Sequence, residues 1–277
     1  MEMTRMESAP QAITSQIEIP PTDIINNILY PESKYNERMK IGRDAQFDSA
    51  DGSDASILAI DANDPRLTFT YHEFPLRSMD ELMDLAIQEF EAKKGFKPRI
   101  FVDLGSGCGR CVLYAALAGS GGNENHQTWD EVHGIEISSL MHDYAVDTVV
   151  QKGVDEGHLQ RYIAISEDDD DAADLPISTK IYFHCGAATD LKRVLSQADI
   201  IFCYSTVFDD EGFNADIGAM ILSKEWSLML ADVCREGTAV VTTDRALNPA
   251  FGWKLKHTLE VDNPSLLQST GYVSIKE

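Results

Sequence analysis

Residues 101–110 read FVDLGSGCGR, an apolar run that gives way to Asp103 and then to Gly105, Gly107 and Gly109. Glycines at alternate positions permit a tight turn with positive φ and let a ligand come up against the backbone. With VLYAAL (residues 112–117) behind them, they give the order strand, glycine turn, helix, in which the free N–H groups of a helix start face the ligand. Residues 132–137, VHGIEI, put Glu136 at the end of a second strand, where an acid accepts both hydroxyls of a ribose. Cys185-Gly186 and Tyr204-Ser205 close two further apolar runs. In an open sheet these four strand ends would share one site.

Charge sign narrows the ligand. The spacing is G-x-G-x-G directly after an acid, not G-x-G-x-x-G, so a dinucleotide would bring its pyrophosphate against the Asp103 carboxylate. The sulfonium and ammonium of S-adenosylmethionine (SAM) suit that carboxylate instead. SAM is therefore the expected cofactor, with Asp103, Gly105, Ser106, Gly107, Glu136, Cys185 and Gly186 at the strand ends around it. Methyl transfer is an in-line displacement, so the protein must chiefly align a nucleophile about 3–3.5 Å from the methyl carbon and exclude water. Tyr204 and Ser205 are the candidate catalytic residues lining the acceptor side, with Phe208 and Phe213 as apolar walls.

One rival motif is Cys108-Gly109-Arg110-Cys111, a C-x-x-C at a helix start, where thiolates are favoured. Cys108 sits at a variable position of the glycine turn, no thioredoxin-like order of elements surrounds it, and zinc would need a second ligand pair. No metal is expected.

The elements that must position these residues follow from periodicity. A helix from Met79 to near Gly95 carries Leu82, Met83, Ala86 and Phe90 on one face, and Ser78 with Glu81 reads as its capping box. Strands are expected at residues 99–104, 132–137, 181–185, 198–204 and 238–242, with helices at 140–150 and 219–233 between them. Residues 253–261 and 267–275 alternate around an Asp262-Asn263-Pro264 turn as an antiparallel pair. The expected fold is a Rossmann-like α/β sheet of seven mostly parallel strands with a C-terminal antiparallel hairpin. Residues 1–66 form a small arm or lid with a helix at 22–30 and a loop at 48–54, and residues 67–69 are a short strand or extended lead-in. Residues 119–131 and the acidic run at 167–174 read as exposed loops.

The chain has 277 residues, enough for a sizeable core. No apolar run reaches membrane-spanning length, and the N-terminus lacks a signal core, so an intracellular, cytoplasmic or nuclear, setting is expected. Five cysteines are too few for a disulfide framework. A formal charge of −23 repels polyanions, so direct nucleic-acid binding is not expected, whereas a basic protein would be attracted.

FVDLGSGCGR with GIEIS downstream resembles motif I and the post-I acid of class I SAM-dependent methyltransferases. It looks more narrowly like the non-SET histone-lysine methyltransferase family called disruptor of telomeric silencing. Thr70-Tyr71-His72-Glu73 resembles that family's threonine-tyrosine-glycine-glutamate loop, with His72 in place of the glycine, and residues 200–213, IIFCYSTVFDDEGF, align with its asparagine-ended strand and phenylalanine-rich loop. The similarity spans roughly residues 68 to 245. It implies a methyltransferase domain at 67–277 in which Asp103 and Gly105 hold the methionine end of SAM, Glu136 the ribose, and Tyr71 and Glu73 close over it. It also implies a protein lysine, possibly in a histone, as acceptor. The departures are Tyr204 and Ser205 for the paired asparagines, Cys185-Gly186 where an acid would meet the adenine amino group, and no basic segment for nucleosome binding. A small-molecule or other non-histone acceptor, or a non-catalytic binding protein on the same fold, are the alternatives.

Overall fold

The computed structural model describes residues 19–45, 71–118, 129–159 and 179–277. The strand expected at 67–69, Thr70, the loops at 48–54 and 167–174, and most of the 119–131 loop lie outside them.

The first helix, α1, runs Pro21–Asp23 and continues as a π-helical turn, Ile24–Leu29; α2 is Tyr35–Ala45. Then come α3 (Leu76–Lys94), β1 (Ile100–Leu104), α4 (Arg110–Ala118) and β2 (Glu131–Glu136). The next helix, α5, starts at Ser139–Asp143 and continues through Tyr144–Val150 and Gln151–Asp155. The chain goes on through β3 (Lys180–Cys185), α6 (Lys192–Gln197), β4 (Ile200–Cys203), β5 (Asp210–Asn214) and β6 (Ala219–Leu222), then α7 (Lys224–Val233), β7 (Ala239–Thr243), β8 (Trp253–Asn263) and β9 (Leu267–Lys276).

Seven strands form one sheet in the order β3-β2-β1-β4-β7-β9-β8. The first five are mutually parallel, and β9 runs antiparallel to both β7 and β8. This is the expected Rossmann-like sheet with its C-terminal hairpin. The chain reverses direction along the sheet between β1 and β4, which opens the crevice where such folds bind ligands. Each central strand is buried on both faces: Phe101, Ile200, Phe202 and Val241 join the core under α3 and α4, while Val102, Ile201 and Val240 join the one under α6 and α7. That double covering explains why these strands read as unbroken apolar runs. Among the described residues, no helix is long and apolar enough to cross a membrane.

Several local readings are corrected. α3 begins at Leu76 behind Pro75, and Ser78 does not cap it; its buried hydroxyl donates to the Asp262 carbonyl at 2.7 Å, tying the helix to β8. The helix does end on Gly95, left-handed at φ 77°, whose N–H reaches Glu91 O. The helix expected over 219–233 is two elements. Ala219–Leu222 is a strand paired with β5, and Gly218 at φ 67° supplies the turn between them. A short apolar run such as AMIL satisfies either period, and length alone could not decide. The C-terminal strands run through Asn263, so their turn lies at 264–266. The polar α2 and the short α6 escaped an apolar-periodicity reading.

Candidate functional site

The carboxyl ends of β1, β2 and β4 and the segment after β3 enclose a cavity of about 320 Å³. Tyr71, Glu73, Asp103, Gly105, Ser106, Gly107, Glu136, Gly186 and Tyr204 all line it. Two expected site residues do not. Ser205 is fully buried, its hydroxyl donating to Thr243 O at 2.8 Å and accepting from Thr243 N, so it fastens β4 to β7 and is corrected from a catalytic to a structural position. Cys185 ends β3 outside the cavity, exposed. Phe208 is a wall as expected, but Phe213 is 67% exposed and sits on β5 away from the cavity.

Asp103 belongs to β1 itself, next to its last residue. Its side chain is 3% exposed, and no cation among the described residues is paired with it. Burial, and secondarily the Glu136 carboxylate, push its pKa up to about 8. Glu136 ends β2, and its two oxygens accept the backbone N–H groups of Gly107 and Ser138, each at 2.8 Å. Burial raises its pKa against the pull of those donors. The glycine turn between the two acids holds Gly105 at φ 81° and Gly107 at φ 55°. Both are left-handed, and a Cβ on Gly107 would stand 3.1 Å from the Tyr71 ring.

The upstream wall is an ionic knot. Tyr71 OH donates to Glu73 Oε1 at 3.0 Å, and Arg38 of α2 donates to the same oxygen. Arg110 of α4 stands 3.7 Å from Glu73 Oε2 and donates to Phe74 O at 2.7 Å. Gly42 of α2 also lines the cavity, where a Cβ would fall 2.1 Å from Tyr71 Cβ. The opposite wall is aromatic. Tyr204 packs on Phe74 at 5.1 Å between centroids and accepts from Asn263 Nδ2, and Phe208 packs on Trp226 at 4.7 Å.

Arg38, Gly42, Phe74, Asp209 and Trp226 were not anticipated. Arg38 and Gly42 lie on a helix that shows no apolar stripe in sequence, and the other three depend on how distant segments fold back. Three buried atoms of cavity-lining residues, His72 Nδ1, Ser106 Oγ and Arg110 Nε, have no hydrogen-bond partner among the described residues. Together with the unpaired Asp103, they fit a polar ligand that carries both a positive charge and acceptor groups, such as SAM.

The C-x-x-C thiols are buried, and burial pushes Cys108 up to about 12 and raises Cys111 as well. Such thiols are poor nucleophiles. Iodoacetamide at mildly alkaline pH is therefore expected to label Cys185 in the folded protein and to reach Cys108 and Cys111 only after unfolding. Rapid native labelling of that pair, read by peptide mass mapping, would contradict their burial.

The fold and site thus define a Rossmann-like α/β architecture with an acid-lined cavity at its switch point. No protein-family model matches the sequence, and no curated protein matches it. Among solved structures, an RNA methyltransferase from Salinibacter ruber with S-adenosyl-L-homocysteine is similar at 20% identity, over 74% of this chain and 95% of that one, with TM-score 0.41. The magnesium protoporphyrin IX methyltransferase of Synechocystis PCC 6803 with bound SAM aligns at 12% identity over 95% of this chain and 100% of that one, with TM-score 0.39. A SAM-dependent methyltransferase from Thiobacillus denitrificans aligns at 12% identity over 75% and 94%, with TM-score 0.39.

Proposed function

We infer that this chain is a SAM-dependent methyltransferase whose acceptor is an amine of a basic protein, a lysine side chain first. The observation that carries the donor reading is Asp103, a buried carboxyl with no cationic partner among the described residues, set beside a glycine turn and a second buried acid. A ligand bearing a positive charge supplies what that site lacks.

On this reading Asp103 and the Gly105 to Gly107 backbone hold the methionine end, and Glu136 takes the ribose hydroxyls. Cys185 has no part in binding. Gly186 leads into the small residues Ala187 and Ala188 beside Ile137 and Met141, an apolar slot for the adenine. Residues of the proposed N-terminal arm, through α2, close the site by pressing on Tyr71 and Glu73. When bound, SAM supplies an electrophilic methyl carbon. The chain's own contribution is to orient it and to bring a nucleophile in line while water is kept out.

The acceptor reading is supported by two features. Phe74, Phe202 and Tyr204 give the cavity an aromatic wall, which favours an amine or ammonium over an anion. The formal charge of −23 draws basic partners toward the molecule.

Calorimetry with SAM and S-adenosylhomocysteine tests the donor, and heat of binding is expected with both. Absence of heat with either ligand would sink the reading. Radiolabelled SAM offered alongside free histones, RNA and a metabolite panel tests the acceptor: label in the basic proteins is expected, and label confined to RNA or to a small molecule would replace the lysine assignment.

A further inference from the structure

The cavity wall continues into a small ribbon that the donor site does not use. Phe208 and Asp209 line the cavity, and the next residues are β5, paired antiparallel with β6 outside the main sheet. The ribbon is anchored along β6. Leu222 N–H donates to Ala246 O and Ala246 N–H to Met220 O, each at 2.8 Å, and Ala219 and Ile221 pack with Ala246 and Tyr272. Its inner strand is therefore held from both sides, whereas β5 pairs on one side only among the described residues.

Three properties set this outer strand apart from a passive edge. The exposed aromatic Phe213 stands on it, 67% accessible, beside a surface recess formed with Glu211, Asn214, Asp216 and Asn248. Residues 204–222 carry four carboxylates, Asp209, Asp210, Glu211 and Asp216, and no Lys, Arg or His. Only Asp210 has a cationic partner among the described residues, Arg245 at 3.3 Å, while Glu211 accepts from the neutral Asn248 amide. An edge strand is normally blunted by lysines or by covering structure. This one is instead acidic, carries an aromatic face, and starts at the mouth of the cavity.

We propose that β5 is the docking strand for the acceptor: an extended cationic segment of the substrate protein lies along its outer edge, basic side chains over Phe213 and against Glu211 and Asp216, and leads its target amine past Asp209 into the cavity. The proposal rests on the amine-acceptor reading above and names the surface that selects the partner. Main-chain hydrogen bonds to an open strand edge give affinity without demanding one sequence, and the carboxylates and aromatic ring select for Lys and Arg. The bulge between Asp210 and Gly212 limits the contact to the far half of the strand, so the recognised segment is short.

The test uses the full chain and a fluorescein-labelled twelve-residue peptide alternating lysine with threonine and valine, with binding followed by anisotropy at physiological salt. Wild type is expected to bind it, and Phe213→Ser combined with Glu211→Lys to weaken binding by about tenfold or more, since a like charge at the contact repels the cationic probe. These residues are exposed, and calorimetry with S-adenosylhomocysteine on the same variant is expected to be unchanged. A peptide carrying N-methylated backbone nitrogens should also bind more weakly, which a purely electrostatic attraction to an acidic protein would not produce. Equal affinity for wild type and variant, or no peptide binding by wild type, overturns the docking strand. A labelled oligoribonucleotide bound in place of the peptide and lost in the variant overturns the cationic partner. Peptide binding that depends on β5 in a protein that gives no heat with the nucleoside ligand supports the docking strand while removing the donor reading, so the two failures are separable.

Discussion

Asp103→Asn is expected to lower affinity for S-adenosylhomocysteine about 30-fold or more, because removing one member of a buried charge pair costs about 2 kcal/mol or more. The same residue sets a pH dependence whose sign is fixed. Free of ligand, its pKa lies near 8, held up by burial and by Glu136, so at neutral pH the carboxyl is largely protonated and a cationic ligand must expel that proton to bind. Affinity should therefore climb by up to about tenfold per pH unit toward the pKa and level off above it. Calorimetry near pH 7 in two buffers of different ionisation enthalpy should show proton release, and Asp103→Asn should abolish both the slope and the release. Stability runs the other way. A carboxyl whose folded pKa is raised above its unfolded value near 3.8 contributes stability that is complete below that value and is lost as pH rises toward 8. Ligand-free wild type should thus lose thermal stability over that range, a loss that Asp103→Asn escapes. A flat affinity profile together with unaltered binding by the variant would remove Asp103 from the site.

Why the site was partly legible follows from the sheet. Motif residues at the ends of parallel strands converge wherever the strands are adjacent, so Asp103, Glu136, Gly186 and Tyr204 could be brought to one cavity from spacing alone. What spacing could not give is which of two neighbouring residues faces inward. Tyr204 turns toward the cavity, while Ser205 is turned under it to Thr243. Cys185 and Gly186 divide the same way. The ribbon was missed because AMIL is too short to declare its period, and with it went the placement of Phe213. The fold itself was far more legible, since strands covered on both faces announce themselves as unbroken apolar runs. The N-terminal contribution was the least legible: α2 presents YNERMKIGRDA, and nothing in that polar string says that Arg38 points inward.

Arg38 nevertheless organises the upstream wall, and its removal should be the most damaging single change outside the acids. The guanidinium is 1% exposed, lies 5.5 Å from the Tyr30 ring and 5.9 Å from that of Tyr35, and donates to Glu73 and to Pro31 O. Burial alone would depress its pKa, but the hydrogen bond and charge of Glu73 more than restore it, so the cation is retained. A buried ion pair adds little net stability over apolar groups of the same size, yet breaking one strands the other charge. Arg38→Met is therefore expected to cost about 3 kcal/mol, and pairing it with Glu73→Leu should recover part of that loss although more side chain has been altered. Donor affinity supplies the second readout. With Glu73 freed, Tyr71 loses the acceptor that fixes its hydroxyl at 3.0 Å and no longer packs as firmly over Gly107, so S-adenosylhomocysteine should bind more weakly to the single variant. Chemical denaturation of the two single variants and the double variant measures the coupling directly. Additive losses would mean that Arg38 only fills space between the tyrosines, and that α2 reaches the donor site through Gly42 and Tyr71 alone.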